Sequence, residues 1–131
     1  MRWMLLVLSI SSANILGCGP KGGSIASAGV PPVTAGTTWR IDVPNGDPDQ
    51  TWVVLLGNGE LEYTQVWPTK EFQHDGTDHW WVKGDLLQIE WTNGYSLETY
   101  PLVPGAKTLE GTKRSESWGD ELHPCTITFV R

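Results

Sequence analysis

The stretch that decides the fold is residues 86–103, LLQIEWTNGYSLETYPLV. Leu87, Ile89 and Trp91 recur at every second position with polar residues between them, which is the pattern of a strand with one buried face. Asn93-Gly94 follows, and both residues tolerate the positive φ that a tight hairpin turn needs. A second β-rich run begins directly after this turn. The stretch therefore predicts an antiparallel hairpin.

The same alternation of short β-rich runs and turn residues extends over the rest of the chain from residue 37. Eight runs can be distinguished, at residues 37–43, 51–56, 60–67, 79–83, 86–92, 95–103, 107–114 and 123–130. No stretch of ten residues has helical apolar spacing, so crossover helices and a parallel sheet are not expected. We predict an all-β fold, an antiparallel up-and-down meander of about eight strands that closes into a barrel. An open, strongly twisted sheet or a sandwich is the alternative.

The net negative charge of the chain disfavours some classes of binding partner. Fifteen acidic residues stand against nine basic ones, a formal net charge of -6. A protein without a basic surface has no electrostatic attraction to phosphate backbones or to anionic lipids. Nucleic acid is therefore not an expected partner, and any membrane association needs another device.

The N-terminus offers such a device. Met1-Arg2 precedes an apolar run at residues 3–10 that is too short to span a bilayer, as in a signal peptide. Ile15-Leu16-Gly17-Cys18 resembles the lipobox of bacterial lipoproteins. That resemblance implies a signal peptide at residues 1–17, acylation of Cys18, and a lipid-anchored protein on the periplasmic or extracellular face of the cell envelope. An uncleaved apolar helix or a plain secretory signal is the alternative.

Residues 18–36 have the composition of a tether. Residues 19–36 contain five glycines and three prolines and almost no charged or aromatic residue. Such a segment buries too little apolar surface to offset its ordering entropy. We therefore predict three regions: a signal peptide at 1–17, a lipidated cysteine with a flexible tether at 18–36, and a barrel domain at 37–131.

Several motifs of the barrel region resemble a known group of folds. Gly36-Thr37-Thr38-Trp39 is similar to the glycine and tryptophan start of the calycins, which include the lipocalins and avidins. Residues 75–131, with the turns and core positions around 87–94, 109–113 and 126–131, are similar to small lipocalin-like domains of uncharacterised bacterial secreted proteins and lipoproteins. The resemblance implies a lipocalin-like barrel and leaves the function open.

The binding site is predicted from loop lengths and aromatic residues. Successive hairpin loops alternate between the two ends of a meander barrel, so the long connections at 44–50, 68–78 and 115–122 share one mouth. By alternation, Trp39, Trp81 and Trp91 are expected in the core. The predicted ligand-binding residues at the mouth are Trp67, Phe72, His74, His79, Trp80 and Trp118.

Catalytic and metal sites are not predicted. The chain has no nucleophile elbow and no phosphate-binding glycine loop, and alternation puts the pairs Glu60 with Glu62 and Glu90 with Glu98 on the solvent face. Residues 74–79 contain two histidines and two aspartates, but they do not have the spacing of a zinc site. No metal and no cofactor are therefore expected.

The sequence thus predicts a non-catalytic binding module that is anchored to the envelope by lipid. Its ligand would be a small molecule, a glycan or a protein. An inhibitor of a secreted hydrolase is the alternative, and a hydrolytic enzyme is a further one. Cys125 lies on an apolar strand face and is expected to be a buried thiol.

Overall fold

The computed structural model describes residues 33–131, and these form eight strands without an α-helix. The strands are β1 (Thr38–Asp42), β2 (Gln50–Leu55), β3 (Leu61–Thr64), β4 (His79–Lys83), β5 (Leu86–Trp91), β6 (Ser96–Pro101), β7 (Thr108–Ser115) and β8 (Leu122–Phe129). Short 3₁₀ turns at Thr92–Gly94 and Glu116–Trp118 follow β5 and β7. The predicted all-β fold is confirmed.

All eight strands belong to one antiparallel sheet in the order β3-β2-β1-β8-β7-β6-β5-β4. The first and last strands pair, with Ile41 opposite Ile127. The gap between β3 and β4 is bridged by two backbone hydrogen bonds, from Leu61 to Asp78 at 3.1 Å and from Trp80 to Gly59 at 2.9 Å. The sheet is therefore a nearly closed barrel, as the consecutive hairpins predict.

The core fills the interior with residues at alternate strand positions. Leu87 and Ile89 are fully buried, and Trp91 packs against the same cluster, as predicted. Trp39 is 1% exposed and its ring meets Phe129 edge to face. The buried apolar residues are Trp39, Ile41, Val43, Val53, Leu55, Leu61, Leu87, Ile89, Tyr100, Leu109, Cys125 and Ile127.

The prediction that Trp81 lies in the core is wrong. Trp81 is opposite Gln88, on the outer face of the hairpin, where it is 36% exposed and donates a hydrogen bond to the Gln88 side chain. Its neighbour Trp80 is opposite the buried Ile89 and packs against the core instead. Either tryptophan side chain could fill this part of the core, so the cross-strand register decides which of the two faces inward.

The predicted signal peptide, Cys18 and most of the tether lie outside the described residues. The end of the predicted tether contacts the barrel, since Val33 packs against the core and the Gly36 amide donates to the Leu55 carbonyl. Within residues 33–131, no helix is long and apolar enough to cross a membrane.

Candidate binding site at the barrel mouth

The connections β1–β2, β3–β4, β5–β6 and β7–β8 border one cavity of about 310 Å³ at one end of the barrel. Each of these four connections contributes lining residues, and residues at the adjoining strand ends line the rest of the cavity. The lining residues are Ile41, Val43, Gly46, Asp47, Pro48, Thr51, Tyr63, Gln65, Asp75, Asp78, Trp91, Thr92, Ser96, Glu98, Lys113 and Trp118. The prediction that the long loops share one mouth is confirmed, and this space is called the mouth cavity below.

Glu98 is the most deeply buried charged residue on the wall of the mouth cavity. Its residue is 1% exposed, and its carboxylate accepts hydrogen bonds from Trp91 Nε1 and from the Tyr100 hydroxyl, each at 2.7 Å. Lys113 Nζ lies 3.4 Å from Glu98 Oε2. The prediction that Glu98 lies on the solvent face is wrong, because Glu98 is opposite Ile89 and therefore points inward with it.

Tyr100 and Cys125 lie beside this carboxylate in the interior. Burial raises the pKa of Tyr100 well above its usual value, and the Glu98 charge adds to that shift. Burial raises the pKa of the Cys125 thiol to about 11. Cys125 is thus a buried, protonated thiol, as the strand pattern predicts, and Tyr100 is held as a hydrogen-bond donor.

A pair of aspartates at the end of the β3–β4 loop also lines the mouth cavity. Asp78 is 4% exposed and accepts a hydrogen bond from the Thr92 amide at 2.9 Å. Burial raises the pKa of Asp78, and the charge of Asp75 contributes to the same shift. The pKa of the exposed Asp75 is lowered, mainly by hydrogen bonds from the Thr77 hydroxyl and amide.

Three aromatic residues complete the wall. The Tyr63 and Trp91 rings meet edge to face at 5.7 Å. The Trp118 ring stacks on His123 with centroids 3.9 Å apart. His123 Nε2 lies 3.3 Å from Glu121 Oε1, but it does not have the alignment of a hydrogen bond. Burial and the charges of Asp75 and Asp78 raise the pKa of Tyr63, so its hydroxyl stays protonated.

Of the six predicted site residues, the structure places only Trp118 on the mouth cavity. Trp67 and Phe72 lie on the outside of the barrel, where they line a shallow cleft with Pro68, Thr69, Lys70 and Arg131, called the outer cleft below. Trp67 is held there by stacking on Trp52 at 5.8 Å and by the Arg131 guanidinium 5.1 Å above its ring.

The other three predicted residues lie along the seam between β3 and β4. His74 Nε2 contacts Glu60 Oε1, and His79 Nδ1 lies 3.2 Å from Glu90 Oε1. Trp80 Nε1 donates to the Leu56 carbonyl at 2.9 Å. The His74 contact ties the β3–β4 connection to Glu60, the His79 contact joins β4 to β5, and the Trp80 contact joins β4 to the end of β2. Whether any of the six residues binds a ligand stays a prediction.

The polar residues of the mouth cavity were not among the predicted site residues. Ser96 and Glu98 alternate with Leu97 and Thr99 along β6, and both inward residues are buried. The pairing of Glu98 with Ile89 follows from the tight turn at residues 92–95, and this register is the signal that places Glu98 inside. Among residues 33–131, no group of three or more His, Cys, Asp or Glu residues could hold a metal ion.

No protein-family model, no curated protein and no solved structure matches this chain.

Proposed function

We propose that this protein is a non-catalytic binding module of the cell envelope, anchored through acylated Cys18, which holds a small ligand in the mouth cavity. The anchor rests on the lipobox-like segment Ile15-Leu16-Gly17-Cys18. The binding role rests on the mouth cavity. Its volume of about 310 Å³ lies at the lower end of the range of about 300–1,000 Å³ that is usual for small-molecule sites.

One observation carries the binding role: the wall of the mouth cavity contains buried polar residues. Ser96, Glu98 and Asp78 are all nearly inaccessible, yet each lines the cavity. The interior of a small barrel is usually filled with apolar side chains. Here protein donors satisfy the buried Glu98 and Asp78 carboxylates, and both residues still line the cavity. Small-molecule sites usually combine aromatic and apolar walls with a small number of polar groups that point into the cavity.

The binding role is tested by native mass spectrometry of the full-length chain, extracted from membranes of its own host in mild detergent. We expect a retained small molecule on the wild type and on Trp81→Ala, but not on Trp118→Ala. Trp81 is the matched control because it is an outward-facing tryptophan that does not line the mouth cavity. A ligand retained equally by all three proteins contradicts the proposed site.

The anchor is tested separately by fractionation. The Cys18→Ala variant should leave the membrane fraction and lose its detergent partitioning, since acyl chains supply about 0.8 kcal/mol for each buried methylene. The Cys125→Ala variant is the control, because Cys125 is buried in the barrel. Unchanged membrane partitioning of Cys18→Ala contradicts the lipoprotein proposal.

Inhibition of a secreted hydrolase is the second candidate, and the outer cleft favours it. Trp67 and Phe72 line this cleft, and the adjacent Val66 is 70% exposed on the same loop. Apolar and aromatic residues that reach the surface together are typical of protein interfaces. A protein ligand should then be retained by Trp118→Ala and lost by Phe72→Ala, the reverse of the small-molecule result.

A further inference from the structure

The mouth cavity has an excess of acidic groups. Asp47, Asp75, Asp78 and Glu98 line it, and Lys113 is the one basic residue on its wall. Lys113 lies beside Glu98, so its charge is already offset. Within residues 33–131, no cationic side chain pairs with Asp47, Asp75 or Asp78.

The carboxylates of Asp75 and Asp78 interact electrostatically within the β3–β4 loop. Burial raises the pKa of Asp78, and the charge of Asp75 adds to that shift, so the two carboxylates repel each other. A cation bound between them would remove this repulsion, whereas a neutral or anionic ligand would not.

Ser96, the first residue of β6, provides an independent observation. Its residue is 6% exposed and it lines the mouth cavity. Among residues 33–131 its hydroxyl has no hydrogen-bond partner, because the nearby Ser115 hydroxyl bonds to Ser117 instead. Ser96 Oγ is not among the fully buried atoms that lack a partner within residues 33–131. It is therefore accessible from the mouth cavity that the residue lines and available to a polar group there.

The aromatic residues that line the mouth cavity suit the hydrocarbon part of an organic cation. Tyr63, Trp91 and Trp118 all line the cavity. Aromatic rings attract ammonium groups through their negative faces and also pack against hydrocarbon. A metal ion is a poor fit, since no group of three or more His, Cys, Asp or Glu residues that could hold one is present among residues 33–131.

We propose that the mouth cavity binds a small organic cation, a protonated amine on a short hydrocarbon or aromatic body. The ammonium group lies between Asp75 and Asp78, its body contacts the aromatic wall, and Ser96, which pairs with Trp91 near the mouth, lines the same space. This inference rests on the proposed function, because it names the ligand class of the same cavity.

The test is calorimetric titration of the full-length chain with three probes of one shape: phenethylammonium, 2-phenylethanol and 3-phenylpropionate. The cation should bind at least about tenfold more tightly than the alcohol, since the charge supplies the added affinity. Asp78→Asn and Asp75→Asn should each remove most of this preference. Asp75 is exposed, so its variant retains the fold even if Asp78→Asn does not.

Asp85→Asn is the matched control. It makes the same change of charge on the exposed β4–β5 turn at the opposite end of the barrel. Cation affinity should stay at the wild-type level in this variant. An equal loss in Asp85→Asn would show that only net charge matters and would overturn the inference.

The remaining outcomes separate the inference from the proposed function. Tighter binding of the alcohol or the carboxylate, abolished by Trp118→Ala, overturns the cation preference and leaves the binding role intact. If none of the three probes binds and the protein from its host carries no small molecule, both proposals fail.

Discussion

Substitution of Gly111 by alanine tests the packing that supports the mouth cavity. Gly111 lies on β7 opposite Cys125, and a Cβ atom there would point into the barrel. It would meet Tyr100 Cδ1 at 2.6 Å and would overlap the backbone carbonyl of Thr99. The carbonyl belongs to a paired strand and cannot rotate away, so the clash must shift either the sheet or the Tyr100 ring.

Overpacking of this kind costs about 1–3 kcal/mol, and occasionally more. Because backbone atoms form the closest contact, we expect Gly111→Ala to lie at the upper end, about 3 kcal/mol. For a domain of this size, each kilocalorie lowers the Tm by about 4–8 °C. A displaced Tyr100 ring would also weaken its hydrogen bond to Glu98.

Urea denaturation of Gly111→Ala and Gly57→Ala measures the effect. Gly57 is the control because an added Cβ meets no atom within 4 Å and the residue does not have a positive φ. Its variant should stay within about 0.5 kcal/mol of the wild type. Equal midpoints for the two variants would refute the described packing of Tyr100 against β7.

Three further predictions concern the same interior. Trp91→Ala should cost about 3–5 kcal/mol in chemical denaturation, whereas Glu90→Ala on the outer face should cost less than about 1 kcal/mol. The raised pKa of Asp78 means that the folded state holds this proton more tightly than the unfolded state, so this group lowers stability as pH rises above 3.8 through its folded pKa. Thermal melts of Asp78→Asn across pH should show that this decline in stability is abolished. An unchanged decline would contradict the raised pKa. The pKa of about 11 for the buried Cys125 predicts no alkylation by iodoacetamide at about pH 8 until the protein is unfolded, as peptide mass spectrometry can show.

The fold was predictable because its determinants are local. Alternation in residues 86–91 and the turn at Asn93-Gly94 define the β5–β6 hairpin without any knowledge of the rest of the chain. The parity of consecutive hairpins then assigns the long loops to one end, which the mouth cavity confirms. Both steps depend on residues close in sequence.

The interior polar residues were not predictable in the same way. A charged residue such as Glu98 is expected outside, and only its cross-strand partner Ile89 shows that it is inside. Its burial is tolerated because Trp91, Tyr100 and Lys113 provide donors. Adjacent residues such as Trp80 and Trp81 raise the same difficulty, since composition cannot decide which of two tryptophans faces the core.

The interior is divided along the barrel axis, and this division bears on function. Near the short-loop end, Trp39 and Phe129 pack edge to face. Toward the long-loop end, Glu98, Lys113 and Asp78 face the mouth cavity. Apolar packing at one end supplies stability, while polar groups at the other can stay hydrated or bind a ligand without disturbing that packing. Changes at the half-buried Trp118 should therefore alter binding with little effect on unfolding, and changes at Trp39 should do the reverse.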